Sequence, residues 1–215
     1  MLPASKHMSA DSLSLDGRHV RLEPLHLKHV AGLVAAAHAD RTPYGWSFVP
    51  EGESAMRRYV ETALSWAQAG SAVPFATVRQ SDGSVIGSTR FFNLERWAWP
   101  AERPSDASFD IGEIGYTWLT SSAIRTAANT EAKLLMLTHA FEAWNMRCIC
   151  FHADARNARS RAAIERIGGR FEGILRSHRL AIDLTARDSA RYSIVASEWP
   201  ETKSRLENSD ASSSV

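Results

Sequence analysis

The chain is short of three things, and each shortage closes off a class of protein. It has 2 cysteines in 215 residues, Cys148 and Cys150, one residue apart. Side chains that close on an extended segment do not bridge readily, so a disulfide framework is excluded. Net charge is almost absent: 25 Lys and Arg against 24 Asp and Glu leave +1. That balance argues against a nucleic-acid or membrane surface built on bulk electrostatics. Long apolar runs are missing too. No stretch approaches the roughly 18 apolar residues of a membrane span, and the opening MLPASKHMSADSLSL has no apolar signal core. The expectation is a cytoplasmic protein with neither a nucleic-acid nor a membrane partner.

What is present suits a single well-buried domain. Residues 1–14 and 200–215 are rich in Ser, Ala and charge without periodicity, so they read as a flexible N-terminal tail and a disordered C-terminal one, with the domain over 15–199. Strand-like runs fall at 19–25, 75–79, 85–94, 108–119, 148–151, 171–184 and 191–195. Asp82-Gly83 between the second and third marks a hairpin. Helical spacing covers 29–39, 53–69, 130–144 and 158–167, the last stopped by Gly168-Gly169. Early antiparallel hairpins followed by β-α-β imply a mixed sheet with helices on both faces. A bulge is expected near Gly112 or Gly115.

Several groups of residues bear chemistry. The stretch Ser121–Glu131, SSAIRTAANTE, joins a strand to the most periodic helix without a single glycine. Unpartnered N–H groups at a helix start suit an anion, and Arg125 adds a cation. The plain alternative is a structural helix capped by Asn129 or Thr130. Asn157 and Ser160 share a helix face, as ligand groups or as a cap and a surface hydroxyl. Cys148, Cys150 and His152 alternate along one strand and raise zinc, but no fourth ligand or CxxC turn accompanies them, so packing is favoured. Glu113, in the strand before the turn, can accept a proton or serve cross-strand pairing. Of 7 tryptophans, Trp46, Trp97 and Trp99 lie in loop-like sequence, where they pack at a rim or meet an apolar ligand.

Taken together, these segments resemble the GCN5-related N-acetyltransferase (GNAT) superfamily, and within it the RimJ/RimL-like ribosomal-protein alanine acetyltransferases. The resemblance spans roughly residues 17–199. It rests on Arg21-Leu22-Glu23-Pro24-Leu25, Val85-Ile86-Gly87, Glu113-Ile114-Gly115-Tyr116-Thr117-Trp118-Leu119 with the turn after it, and Asn157-Ala158-Arg159-Ser160 through Ile167-Gly168. It implies a GNAT fold of the α/β (α+β) class: a mixed, mostly antiparallel sheet of about seven strands, splayed near its middle, with helices on both faces. It implies acetyl-CoA as co-substrate and no metal. The pyrophosphate would sit on backbone amides of Arg125, Thr126, Ala127, Ala128, Asn129 and Thr130, with Ala128 and Asn129 in place of the family's glycines. The pantetheine arm would pair with Trp118 and Leu119 and bond Asn157, and Ser160 would face the sulfur. Glu113 would take the amine's proton through water. Many members carry a tyrosine general acid where this chain has Ile164, so the resemblance implies either Ser160 in that role or departure of the thiolate with help from solvent.

The implied acceptor is a primary amine on a small molecule, an aminoacyl compound or a protein N-terminus. Loops 41–53 and 95–106 would shape its site, with Trp46, Trp97 and Tyr116 against it and Arg41, Arg96 and Arg103 as candidate partners for an acidic group. A monomer or homodimer is expected. The competing reading is a non-catalytic acyl-CoA-binding or regulatory module on the same fold.

Overall fold

Alternating burial along the chain resolves into one sheet of eight strands, in a computed structural model that describes residues 13–97 and 108–212. The strands are β1 Leu15–Asp16, β2 Val20–Pro24, β3 Ala72–Arg79, β4 Val85–Glu95, β5 Ile111–Leu119, β6 Cys148–Asp154, β7 Arg170–Leu180 and β8 Ala186–Val195. They lie in the order β1-β2-β3-β4-β5-β6-β8-β7, and only β5 and β6 run parallel. The seven expected strands are all present, and a two-residue β1 adds an eighth. The expected run over 171–184 ends earlier, because residues 181–185 turn the β7–β8 hairpin. Residues 1–12, Trp99 and Arg103 fall outside the described residues.

Helices α1 (Val30–His38) and α2 (Gly52–Gln68) cover one face over the N-terminal strands. Leu33, Met56 and Val60 pack there against Ala76 and Trp118. Helices α3 (Ala127–Thr138), α4 (Ala158–Arg166) and α5 (Trp199–Ser212) cover the other. Phe75, Phe91, Ile114, Met136, Ile149 and Tyr192 form that larger core. No helix of the described residues is long and apolar enough to cross a membrane.

The C-terminal segment corrects an expectation. Residues 200–215 were expected to be disordered, yet α5 runs to Ser212 and buries Trp199, Thr202 and Leu206. Three buried positions in two turns are too sparse to register as periodicity against largely polar neighbours, but Trp199 stacks on Phe141 at 5.4 Å and anchors the helix. Likewise α3 starts at Ala127, three residues before the expected helix, and its last turn widens to a π-turn over His139–Ala143.

One side chain ties α3 to the far edge of the sheet. Glu131, 4% exposed, accepts hydrogen bonds from the backbone N–H groups of Arg18, His19 and Val20 at 2.6, 2.7 and 2.7 Å. Gly17 is required beside it, since an added Cβ would come within 2.5 Å of the carboxyl carbon. Replacing Glu131 by Gln removes the charge and one acceptor oxygen and leaves a buried donor unpaired. Glu131→Gln should cost about 2–4 kcal/mol in denaturant unfolding; an unchanged midpoint would show that the three contacts carry no net stability.

Candidate active site at the strand splay

β5 and β6 pair through only three positions, Ile111 with Cys148, Gly112 with Ile149 and Glu113 with Cys150. Beyond Glu113 they part. β5 stays on β4 as far as Leu119, and β6 stays on β8 as far as Asp154. The gap between them exposes one backbone edge of β5, which an extended ligand can pair with as a strand does. Its origin is a bulge. Arg90 pairs with Gly115 and Ser88 with Trp118, so Thr89 alone faces both Tyr116 and Thr117. Tyr116 takes the left-handed φ of +50°. The bulge expected at Gly112 or Gly115 thus sits at Tyr116, next to Gly115. Gly87 permits the close β4–β5 approach, since a Cβ there would lie 2.0 Å from the Trp118 carbonyl oxygen.

The turn after β5 also departs from expectation in detail. Its left-handed residue is Arg125, at φ +62°, while Ala128 and Asn129 are ordinary helical residues. Thr126 is the N-cap: its hydroxyl accepts from the Ala128 N–H at 3.2 Å and donates to the Ala123 carbonyl at 2.8 Å. Neither Asn129 nor Thr130 caps the helix. Starting at Ala127 places the Thr130 N–H in the first intrahelical bond. Thr126, Ala127 and Asn129 are left to offer free amides, with the exposed Arg125 side chain beside them. The turn therefore fits a pyrophosphate through a cap hydroxyl and a left-handed arginine instead of glycines. A cleft of about 400 Å³, lined by Arg18, Arg79, Gln80 and Ser122, reaches the same turn from the β3–β4 side.

Across the gap, α4 follows β6. Asn157 is its N-cap, accepting from the Ser160 N–H at 3.0 Å, so Oδ1 is committed and Nδ2 is left for a ligand. Ser160 is half-buried. Ile164 packs in the core at 8% exposure and offers no proton. The loop between α1 and α2 spans the mouth of the gap. Tyr44 bonds the Leu119 carbonyl at 3.0 Å on one arm, the Pro43 carbonyl meets Arg159 on the other, and Arg156 lies 4.8 Å from the Trp46 ring. Trp46 is thus at the mouth. Trp97 is not: its N–H bonds Asp110 before β5, at the closed end of the strands. Arg41 is committed to its own loop, bonding the Val49 carbonyl at 2.8 Å.

On the α1/α2 face, Glu113 sits where the strands part, 4% exposed. Arg179 grips it with two bonds of 3.1 and 2.7 Å, and Asn93 donates at 3.2 Å. His152 Nδ1 lies 2.9 Å from Oε1, off the hydrogen-bonding line, so that contact is electrostatic. Burial pushes the Glu113 carboxyl up, but His152 and Arg179 outweigh it and hold its pKa below the usual range. Tyr116 stands nearby, its ring 5.0 Å from Phe92 and 5.5 Å from Trp66. Cys148 and Cys150 are free, with sulfurs 3.9 Å apart, and no metal-holding cluster occurs among the described residues.

Sequence reasoning missed Lys133. It projects from α3 beneath the bulge, and its Nζ donates to Thr117 at 2.7 Å and Thr89 at 2.8 Å. With no carboxylate nearby and full burial, its pKa falls from 10.5 to about 7. The signal was a charge at a position where α3's helical spacing calls for an apolar residue.

The family profile described as acetyltransferase (GNAT) domain matches residues 19–170. A GCN5-related N-acetyltransferase from Brucella melitensis superposes with a TM-score of 0.78 at 28% identity, over 91% of this chain and 84% of that one. A T. thermophilus protein described as an acetyltransferase gives 0.74 at 33%, over 91% and 95%. RimJ of Mycobacterium smegmatis, solved with CoA-disulfide, shares the fold at 0.71 and 24%, over 88% of each chain. No curated protein matches the chain significantly.

The Lys133 site makes a prediction about stability. Between about pH 7 and 10 the unfolded chain keeps a lysine proton that the folded chain has shed. Stability should therefore rise with pH across that window through this group, and stay flat below it. Lys133→Met should abolish the rise and be more stable at pH 7 by a few kcal/mol. A wild-type-minus-variant difference that stays constant from pH 7 to 10 would show that Lys133 titrates normally.

Proposed function

This chain belongs to the GNAT acetyltransferase family and is an N-acetyltransferase, and from that premise we propose that it moves an acetyl group from acetyl-CoA directly to a primary amine. The observation that carries the reading is the parting of β5 and β6 at Glu113, with the starts of α3 and α4 on its two flanks. When bound there, acetyl-CoA supplies an activated thioester. The chain supplies the rest.

Amides of Thr126, Ala127 and Asn129 hold the pyrophosphate at the helix start, where the aligned peptide dipoles favour negative charge. The free edge of β5 at Trp118 and Leu119 holds the pantetheine arm, and Asn157 Nδ2 donates to it. That placement orients the reacting carbonyl and keeps water out of the gap. β5 amides near the bulge polarise the carbonyl. Ser160, the nearest α4 hydroxyl to the cap, offers a proton to the departing sulfur. The RimJ likeness, through that protein's CoA-disulfide complex, supports the donor.

The amine approaches from the opposite face, past Trp46 and Tyr116. Glu113 takes its proton through a water, on a carboxylate that Arg179 and His152 keep ionised at neutral pH. Direct transfer requires no covalent intermediate on the protein. The acceptor is a small molecule, an aminoacyl compound or a protein N-terminus.

Glu113→Gln should lower kcat by about 10²-fold or more while the Kd for acetyl-CoA, read by calorimetry, barely moves. Loss of the acid limb of the pH–rate profile is expected with it. A profile identical to wild type would remove Glu113 from the role. A wild-type protein that does not bind acetyl-CoA would instead be a non-catalytic module.

A further inference from the structure

On the face where the amine enters, guanidinium groups crowd together. Arg179 and Arg187 are direct cross-strand partners on β7 and β8, a placement that like charges disfavour. Glu113 neutralises Arg179. Among the described residues Arg187 has one hydrogen bond, from its Nε to the Ser189 hydroxyl at 3.1 Å, although it is half-buried, and no carboxylate within ion-pair distance. Burial lowers its pKa and the Arg179 charge lowers it further.

A third guanidinium lies behind them. Arg90 is 1% exposed, and its Nε and Nη2 have no hydrogen-bond acceptor. Its guanidinium lies over ring faces, Tyr116 at 4.2 Å, Tyr59 at 4.7 Å and Trp66 at 5.4 Å. Tyr116 stands among them: it lies against Arg90, and Phe92, 5.0 Å from its ring, lies 5.3 Å from the Arg179 guanidinium, while the Arg187 charge reaches its phenol through space. The other carboxylates nearby among the described residues bond elsewhere. Asp154 and Asp183 face Arg156, and Asp188 accepts the Ser177 N–H at 2.8 Å. His178 adds a buried Nδ1 without a partner, its ring 4.7 Å from that of His152. Among the described residues, Glu113 is the one carboxylate that bonds any of these three guanidinium groups, with Asp154 reaching Arg187 only through its field, and a partly desolvated charge without a close partner is costly.

We propose that this face binds an anionic group of the acceptor, a carboxylate or a phosphate, between Arg187 and Tyr116, with Arg179 and Arg90 adding to the field. A planar guanidinium with free Nη groups suits either oxyanion. The identity of the ligand as an acceptor rests on the transferase reading; the existence of the anion site does not. An oxyanion here also shares Arg179 with Glu113. It thereby loosens the contact that holds the Glu113 carboxyl down, so that an acidic acceptor makes Glu113 a better base.

The test is thermal melting of wild type and Arg187→Gln with saturating CoA, inorganic phosphate replacing chloride at constant ionic strength. CoA fills the pyrophosphate turn, so phosphate reports on the second site. Phosphate should bind wild type roughly tenfold or more tightly than Arg187→Gln, with Arg187→Lys in between. An equal phosphate response in all three proteins overturns the proposal. If CoA stabilises none of them while the phosphate difference persists, the transferase reading fails and the anion site stands. Paired acceptors then identify the group. Faster turnover of alanyl-aspartate than alanyl-asparagine, lost in Arg187→Gln, means a carboxylate; the same pattern for phosphoserine amide over serine amide means a phosphate. Turnover of all four at rates indifferent to Arg187 overturns the assignment to the acceptor.

Discussion

β5 and β6 hold together for three residue pairs and then part, and the remaining functional geometry depends on that parting. A parallel pair that continued would bury its edges in each other and leave no room for an extended ligand. The bulge at Tyr116 does more than bend β5. Glu113 and Trp118 are five residues apart, so in an unbroken strand they would face opposite sides. The extra residue resets the alternation. Glu113 and Trp118 both face α1 and α2, while Ile114 and Leu119 both face α3. One inserted residue thus opens the gap, aims the carboxylate and keeps two cores filled.

The helix that receives the pyrophosphate in this account is pinned at three points. Thr126 caps its start, Glu131 reaches three backbone amides at the sheet edge, and Lys133 bonds Thr117 inside the bulge. Two of these put a charge where burial opposes it. Glu131 is compensated by three short hydrogen bonds, whereas Lys133 has two hydroxyls and no anion. The asymmetry is informative: the first contact stabilises the fold, and the second costs stability while holding the strand that lines the candidate site. Strain of this kind gathers at functional sites.

Much of this was legible before any coordinates. EIGYTWL followed by SSAIRTAANTE placed the splayed strand and the turn into α3, and Asn157 with Ser160 placed the start of α4 across the gap. Less legible were features set by distant partners. That Arg125, and not Asn129, turns left-handed follows from a cap at Thr126, which three candidate capping residues within five positions obscured. The α5 helix hides because Trp199 and Leu206 need Phe141 and the α3 core to show their worth. Trp97 reads like Trp46 in a local window, yet the two lie at opposite ends of the strands. The arginine cluster draws Arg90, Arg179 and Arg187 from three strands, and no spacing rule joins them.

The central claim is that the free edge of β5 and the start of α3 together hold acetyl-CoA. Backbone hydrogen exchange, followed with and without acetyl-CoA, tests it most directly. The account predicts slowed exchange at the amides of residues 116–119 and at Thr126, Ala127 and Asn129, with little change along β2 and β3. Protection confined to other segments, or none at the β5 edge under saturating acetyl-CoA, would contradict it.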